Sequence, residues 1–294
     1  MQVPKGRANY EPNSIDDGSV RENPELGYKT FPEAVQGEKT VLRAETFADH
    51  YSQARQFYRS MSEPEQRHMV SALAFELGKV STLPIRTRVL GHLSNIDPAL
   101  QEQVAVALGM EGKADAIKPA VAPQDLEPSD ALSIIKKAPA TLKGRKLGVL
   151  ITDGFDPKLL NALRNAAKTE KAAFALVARK VGGVKDAAGK LTPADFSIAG
   201  GPSVIFDAVA ILSDEEQAEA LAAEAAAVDW VRDAFGHLKV IGHTPGAEAL
   251  LKKAGAEADE GVIALEATPS VADFIKLAKT GRIWEREPKL RSPG

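Results

Sequence analysis

The sequence predicts an α/β protein, in which a doubly wound parallel sheet follows an irregular arm and an all-α helical region. Three observations lead to this prediction. Residues 143–294 alternate short apolar runs with helix-start signals, residues 44–110 show helical periodicity, and residues 1–43 show no sustained period. With 294 residues and 44% apolar composition, the chain is long enough for one large domain or two ordinary ones.

Residues 1–43 are predicted to form an extended arm. Turn-forming residues are scattered along it, as in Asn9–Ser14. The arm nevertheless carries the aromatic residues Tyr10, Tyr28 and Phe31. Because a long irregular segment with aromatic side chains is unusual inside a compact domain, we expect the arm to wrap around another body.

Residues 44–110 are predicted to be helical. Aromatic and small residues recur there at helical spacing, namely Phe47, Tyr51, Ala54, Phe57 and Tyr58. Ser62–Glu65 has the pattern of a capping box with proline in the first turn. The helix that it opens carries one apolar stripe, made of Met69, Leu73, Leu77 and Val80. Two shorter helices are expected near Pro84–Leu93 and Pro98–Leu108.

Residues 111–142 are predicted to be a proline-rich linker. Four prolines occur among alanine and aspartate, with few large apolar side chains. We therefore expect the domain boundary in this segment.

Residues 143–294 are predicted to form the doubly wound domain. Five main strands are expected, at Lys146–Thr152, Ala172–Ala178, Phe206–Leu212, Lys239–Ile241 and Gly261–Leu265. Helices are expected to begin at Asp156 followed by Pro157, and at Ser213–Glu216. The last long helix is expected to begin at Thr268 followed by Pro269. Val184–Leu191 is a candidate hairpin. Strands that alternate with helices favour a parallel sheet covered on both faces.

Composition excludes several classes of function. The net charge of −3 shows no basic surplus, so neither nucleic acid nor an anionic membrane is an expected partner. No apolar run is long enough to cross a bilayer, and the first residues show no signal peptide. The chain has no cysteine, which excludes disulfides, thiolate metal sites and a cysteine nucleophile and fits a cytoplasmic protein.

In a doubly wound sheet, ligands bind at the turns that follow the carboxyl ends of the strands. The turn Thr152–Pro157 contains one glycine and two aspartates, which favours a helix cap over an anion site, although an anion site stays open. The glycine pairs Gly182–Gly183 and Gly200–Gly201 lack the spacing of a dinucleotide fingerprint. No nucleotide phosphate loop is present, and flavin is not expected.

The turn Ile241–Pro245 resembles the Cys-His-Gly-Pro nucleophile elbow of the class I glutamine amidotransferase-like superfamily, which includes the PfpI-type proteases. In that resemblance Gly242 stands where the nucleophilic cysteine would be, and His243 stands where the neighbouring histidine would be. Because glycine has no side chain to attack a substrate, we interpret Gly242 and His243 as a vestigial elbow. A hydrolase or glyoxalase activity of this superfamily is kept as a disfavoured alternative.

A second resemblance covers nearly the whole chain. Asn9–Ser14 resembles the N-Y-x-P-N-S motif of haem catalases, and Ser62–Arg67 resembles a catalase helix that begins with an E-Q-R-type turn. The order of arm, helices, proline-rich linker and flavodoxin-like domain ending in Gly281–Trp284 is similar to the C-terminal region of the large-subunit catalases.

The resemblance has consequences for chemistry. In that family the haem ligand and the distal residues precede the N-Y-x-P-N-S segment, so none of them can be assigned to a residue here. A haem iron needs its axial ligand and pocket. We therefore expect this chain to be a shortened form that lacks the haem domain, with no cofactor or metal and no catalytic activity, whereas the parent protein would be a haem enzyme that dismutates hydrogen peroxide.

The resemblance also implies a non-catalytic role. In that family the terminal domain supports the tetramer, and such domains are associated with chaperone-like protection. We expect the partners to be the parent catalase tetramer and unfolded client proteins, held without ATP through exposed apolar side chains. The candidate client-binding residues are Tyr10, Tyr28, Phe31, Phe47, Tyr51, Phe57 and Tyr58.

Overall fold

The computed structural model describes residues 32–290. Described residues before Ala48 form one unit, and those from Ala48 onward form another. The first unit is irregular from residue 32 until a 3-10 turn at Glu45–Ala48. The second unit contains the helical region and the sheet. Within residues 32–290, no helix has the length and apolar character needed to cross a bilayer.

The helical region has the four helices that the sequence predicts. They are α1 (Ser52–Ser60), α2 (Glu63–Gly78), α3 (Leu83–Ile96) and α4 (Pro98–Ala107). The predicted capping box at the start of α2 is confirmed, because the Glu65 carboxylate accepts a hydrogen bond from the Ser62 backbone N–H at 2.8 Å. Buried side chains from Tyr58 to Met110 form the core of this region.

Residues 111–142, hereafter the strap, lie along the helical region rather than as a free spacer. The Asn95 amide donates to the Ile117 carbonyl at 3.0 Å, and the Gln56 amide donates to the Glu127 carbonyl at 2.9 Å. The strap crosses α3 at Gly91, where a β-carbon would collide with the backbone of the strap. Extended backbone has carbonyls without local partners, and helix side chains satisfy them here.

One carboxylate joins the strap to the helices. Glu65 accepts hydrogen bonds from the Ser133 hydroxyl at 2.6 Å and from the backbone N–H groups of Ile134 and Ile135 at 2.7 and 3.2 Å. Burial raises the pKa of Glu65, but the hydrogen bonds from Ser133, Ser62 and Ile135 outweigh it and lower the pKa to about 2. The ionised form of Glu65 is therefore the form that binds the strap.

The predicted doubly wound fold is confirmed. Eight strands are described, β1 (Lys146–Ile151), β2 (Ala173–Ala178), β3 (Val184–Lys185), β4 (Leu191–Thr192), β5 (Phe196–Ser197), β6 (Ala208–Leu212), β7 (Ile241–His243) and β8 (Val262–Ala264). Six of them form a parallel sheet in the order β5-β2-β1-β6-β7-β8. The predicted hairpin is confirmed as β3 paired antiparallel with β4.

Helices cover both faces of the sheet. They are α5 (Pro157–Thr169), α6 (Glu215–Ala222), α7 (Ala225–Gly236), α8 (Glu248–Ala254), α9 (Thr268–Ala278) and the short α10 (Glu287–Leu290). Alternate residues of β6 point to opposite faces, so that Ala210 packs in a core with α5 and α9, and Ile211 packs in a core with α6, α7 and α8.

Several boundaries differ from the prediction. The strand expected at Lys239–Ile241 is β7 at Ile241–His243, because Leu238 takes a positive φ of 59° and the chain straightens only after it. The strand β5 was not predicted, because a strand of two residues is too short to show an alternation of apolar and polar side chains. The helix start expected at Ser213–Glu216 is confirmed, and its cap is Asp214, whose side chain accepts from the Gln217 N–H at 2.8 Å.

The end of the described chain connects the two regions of the second unit. Arg286 is fully buried and binds Asp259 through two hydrogen bonds of 2.6 and 2.9 Å. The next residue, Glu287, is also buried and accepts from Arg67 at 3.3 Å and contacts the His68 ring nitrogen at 2.5 Å. Arg286 is thus bound to the sheet region, and the adjacent Glu287 is bound to α2.

The sheet region is expected to fold without the rest of the chain, because both of its cores are made of residues from Leu142 onward. Leu142 is fully buried in one of these cores, so the piece should start before it. We expect residues 140–294 to unfold cooperatively, as measured by thermal circular dichroism. The same piece with Leu142→Ala should lose about 2–5 kcal/mol of stability. A non-cooperative melt of the piece with Leu142 would contradict this expectation.

Replacing Glu65 by Gln is expected to destabilise the helical region at pH 7 by about 1–3 kcal/mol, since the charge-assisted hydrogen bonds are lost. The folded pKa lies below the ordinary value of 4.5. The contribution is therefore complete above pH 4.5 and is lost as the pH falls through about 2. Chemical denaturation of both chains across this range should show the difference shrinking with acid; a difference independent of pH would refute the role of the charge.

Candidate functional site

The sheet places one candidate ligand site at the point where its strand order reverses. From β1 the chain continues to β2 on one side, and β6 lies on the other side. In doubly wound folds, ligands bind at the carboxyl ends of the two strands that flank such a point. Here those ends carry Thr152 after β1 and Ser213 after β6.

Hydrogen bonds between the loops close this crevice. The Thr152 hydroxyl lies 3.1 Å from the Ser213 hydroxyl. The Ser213 backbone N–H donates to the Thr244 hydroxyl oxygen at 3.0 Å, and that hydroxyl donates to the Ser213 carbonyl at 2.6 Å. Thr152 and Ser213 are both buried. The polar groups that would bind a ligand in this fold are therefore bonded to one another.

The elbow residues lie inside a strand. Gly242 pairs with Ala210 and Ile263, and His243 is the last residue of β7 rather than part of a turn. A β-carbon at Gly242 would lie 2.7 Å from Leu265 Cδ1 and 3.1 Å from Phe274 Cδ2. The space that a nucleophilic side chain would need is thus already filled by the core.

His243 is buried at the end of β7 and makes a local contact. Its ring is buried, and Nδ1 lies 3.0 Å from the carbonyl oxygen of Thr244, the next residue. A general base must reach a nucleophile, and Gly242 beside it offers none. His243 is therefore a packed residue at the strand end.

The turn after β1 is a helix cap, as the sequence favours. The Asp156 side chain accepts from the Lys158 N–H at 2.8 Å, and Pro157 occupies the first helical position of α5. Asp153 accepts from the Lys185 N–H at 2.7 Å. Both carboxylates therefore bind backbone of this chain.

A cleft of about 200 Å³ lies between α2 and the end of the chain. It is lined by His68, His237, Leu238, Arg282, Trp284 and Glu287. The His68 ring contacts the Trp284 ring edge-on with centroids 5.8 Å apart, and its nitrogen faces Glu287. The residue that His68 contacts, Glu287, lies 219 residues away along the chain. This side chain serves the junction between regions.

Lys239 is a buried lysine behind that cleft. Burial, followed by repulsion from Arg282, lowers the pKa of Lys239 to about 8. Its ammonium group donates to the Ser203 carbonyl at 2.5 Å, and the side chain is buried. A shifted pKa can mark a reactive amine, but this amine has no exposed face, so its role is structural.

The predicted client-binding aromatics separate into three groups. Tyr10, Tyr28 and Phe31 lie outside the described residues. Tyr51 and Tyr58 are buried in the helical region, and the Tyr51 hydroxyl lies 2.8 Å from His92 Nδ1. Phe47 and Phe57 are exposed, at 63% and 41%. In the folded chain, only these last two of the described candidates present a ring to another protein.

Sequence reasoning missed an apolar surface at one end of the helical region. Its exposed members are Phe75, Leu83, Ile85 and Val106, hereafter the apolar end. The Arg86 side chain donates to the Gly78 carbonyl, which places the start of α3 beside the end of α2. Asp115 N–H donates to the Thr87 carbonyl, which places the chain after α4 there as well.

Several described side chains that could ligate a haem iron are not open to one. A haem iron requires a tyrosine, histidine or cysteine ligand that opens onto a pocket. Tyr51 is bonded to His92, and Tyr58 and His243 are buried. Between residues 32 and 290, no group of three or more His, Asp or Glu side chains could hold a metal ion.

Comparison with known proteins gives matches along most of the chain. Residues 44–108 match the family described as catalase-related, immune-responsive, and residues 143–288 match the C-terminal domain found in long catalases. Catalase C of Rhizobium meliloti is 50% identical over 294 residues, which cover 99% of this chain and 42% of that protein.

More distant relatives show the same coverage. Catalase HPII of Pseudomonas putida is 36% identical over 97% of this chain and 40% of its own length. Catalase-B of Dictyostelium discoideum is 32% identical over 99% of this chain and 43% of its own length. The chain therefore spans about two fifths of the length of these relatives.

We expect the elbow to be catalytically silent. His243→Ala should leave any esterase, protease or glyoxalase signal of the chain at its starting level. Gly242→Cys should supply a thiol yet no activity, and should lower stability by about 1–3 kcal/mol because the new side chain overpacks Leu265 and Phe274. Gly236→Cys is the control, because a β-carbon there meets no atom within 4 Å and the backbone has no positive φ. A Gly242→Cys chain that gains hydrolase activity without loss of stability would revive the alternative function.

Proposed function

Since this chain belongs to the large-subunit catalase family and corresponds to its C-terminal region, we propose that it is a non-catalytic module that stabilises a parent catalase and holds unfolding proteins without ATP. The parent protein would dismutate hydrogen peroxide with haem, and this region would contribute to its tetramer. The closed crevice between β1 and β6 supports a role without chemistry, because its hydroxyls bind one another.

The apolar end is the observation that carries the holdase proposal. Phe75 is 65% exposed, and Leu83 and Ile85 follow on the adjoining helix start. Burying one such side chain against a client contributes about 1.5–3 kcal/mol, and several weak contacts on one surface add by avidity. Lys79 lies 3.8 Å over the Phe75 ring, which places a charge beside the apolar surface.

The holdase surface predicts a specific loss of function. Phe75→Ser combined with Ile85→Ser should at least halve the delay in thermal aggregation of a test protein, measured by light scattering at equal molarity. The control is Val181→Ser combined with Leu191→Ser, which removes two similarly exposed apolar side chains from the sheet region. Both variants must retain the melting temperature of the unaltered chain.

Three outcomes of this assay count against the proposal. If the unaltered chain protects no better than an equal mass of inert protein, the holdase function is refuted. Equal losses in test and control variants would show that exposed apolar area in general is responsible. Protection by residues 140–294 alone at the level of the full chain would move the activity to the sheet region and would leave no role for the arm or the helices.

A further inference from the structure

The sulfur atoms of this chain are confined to one region. The chain has four methionines and no cysteine, and residues 143–294 contain no sulfur at all. Apart from Met1, the methionines are Met61, Met69 and Met110. All three belong to the core of the helical region, where Met110 is buried and the other two are partly buried at its edge.

We propose that Met61 and Met69 are oxidation sites for hydrogen peroxide, and that their conversion to sulfoxides loosens α2 while the sheet region stays intact. In the reaction the sulfur lone pair attacks one peroxide oxygen, a sulfur–oxygen bond forms and the oxygen–oxygen bond breaks. The departing hydroxide takes up the remaining proton and leaves as water. Sulfur is oxidised by two electrons, and peroxide is reduced to water.

Because Met61 and Met69 are partly buried, peroxide can reach them and their oxidation can disturb the helical core. An exposed edge lets peroxide reach the sulfur, whereas Met110 at 3% exposure is shielded. Contact with the helical core means that the new oxygen enters an apolar environment. A polar group without a hydrogen-bond partner is unfavourable there, and a sulfoxide disrupts the packing that a flexible thioether provides.

The two methionines also lie beside the contacts that hold α2. Met61 precedes Ser62, whose backbone binds Glu65, and Met69 is four residues after Glu65 on the same face of the helix. Met69 follows His68, which contacts Glu287. Loosening α2 therefore weakens both the contact with the strap and the contact with the end of the chain.

Loosening would also enlarge the apolar surface. The stripe Met69, Leu73 and Leu77 packs inward on α2, and loosening of this helix would expose these side chains. An increase in holdase activity after oxidation rests on the proposed function. The oxidation and the loosening do not, because they follow from the positions of the sulfurs alone.

The test treats the full chain with hydrogen peroxide and reads each methionine by peptide mass spectrometry. Hydrogen–deuterium exchange of the same samples reports each region. We expect Met61 and Met69 to gain one oxygen each before Met110 does, and α2 peptides to exchange at least tenfold faster, with β1 and β6 peptides unchanged. Methionine sulfoxide reductase should restore the original exchange.

Two leucine variants provide the control. The chain with Met61→Leu and Met69→Leu keeps the side-chain volume and cannot be oxidised at these positions, so peroxide should leave its α2 exchange unchanged. The chain with Met110→Leu should respond as the unaltered chain does. Equal oxidation rates at all three methionines, or unchanged α2 exchange after both sites are oxidised, would overturn the proposal. If oxidation loosens α2 as expected but the chain never protects a client, the holdase function is refuted and the oxidation proposal stands.

Discussion

The pairing of Arg286 with Asp259 is the contact on which the arrangement of the second unit depends. It fixes the chain end in the sheet region through two charge-assisted hydrogen bonds, and Arg286 Nη1 also donates to the Lys239 carbonyl at 2.8 Å. A buried arginine is tolerated only with such partners. Because Glu287 follows directly, the same contact sets where α2 can bind through Arg67 and His68. The helical region therefore takes its position from a residue that belongs to the other core.

In the sheet region, polar loop groups are bonded to one another at the point where doubly wound folds bind ligands. The ligand crevice of such folds is a gap between loops that a substrate fills. Here the hydroxyls of Thr152 and Ser213 at that gap are bonded to each other. At Gly242 the core advances into the space of the absent side chain, with Leu265 and Phe274 in contact range. Both changes exchange reactivity for packing, which suits a region whose proposed task is to stabilise a larger protein.

Local signals in the sequence predicted local structure well. The capping box at Ser62 was visible because both of its partners lie within four residues, and the doubly wound sheet was visible because apolar runs alternate with helix starts. The strap partners of Glu65 lie 68–70 residues away, and no periodicity records a contact of that separation. For the same reason Tyr51 and Tyr58 were expected to bind clients and are buried, while the exposure of Phe75 was not predicted. The site residues Gly242 and His243 were predicted silent from chemistry, but their place within β7 depended on the turn at Leu238.

The sheet cores and the helical core of the second unit differ in their sensitivity to oxidation. The sheet cores contain aliphatic and aromatic side chains without sulfur, so an oxidant has no thioether there to alter. The helical core includes all three described methionines and has fewer buried side chains than either sheet core. Regions with small cores open at lower free energy than regions with extensive cores. The sheet region therefore resists oxidation and the helical region responds to it, because all the described methionines lie in the helical core.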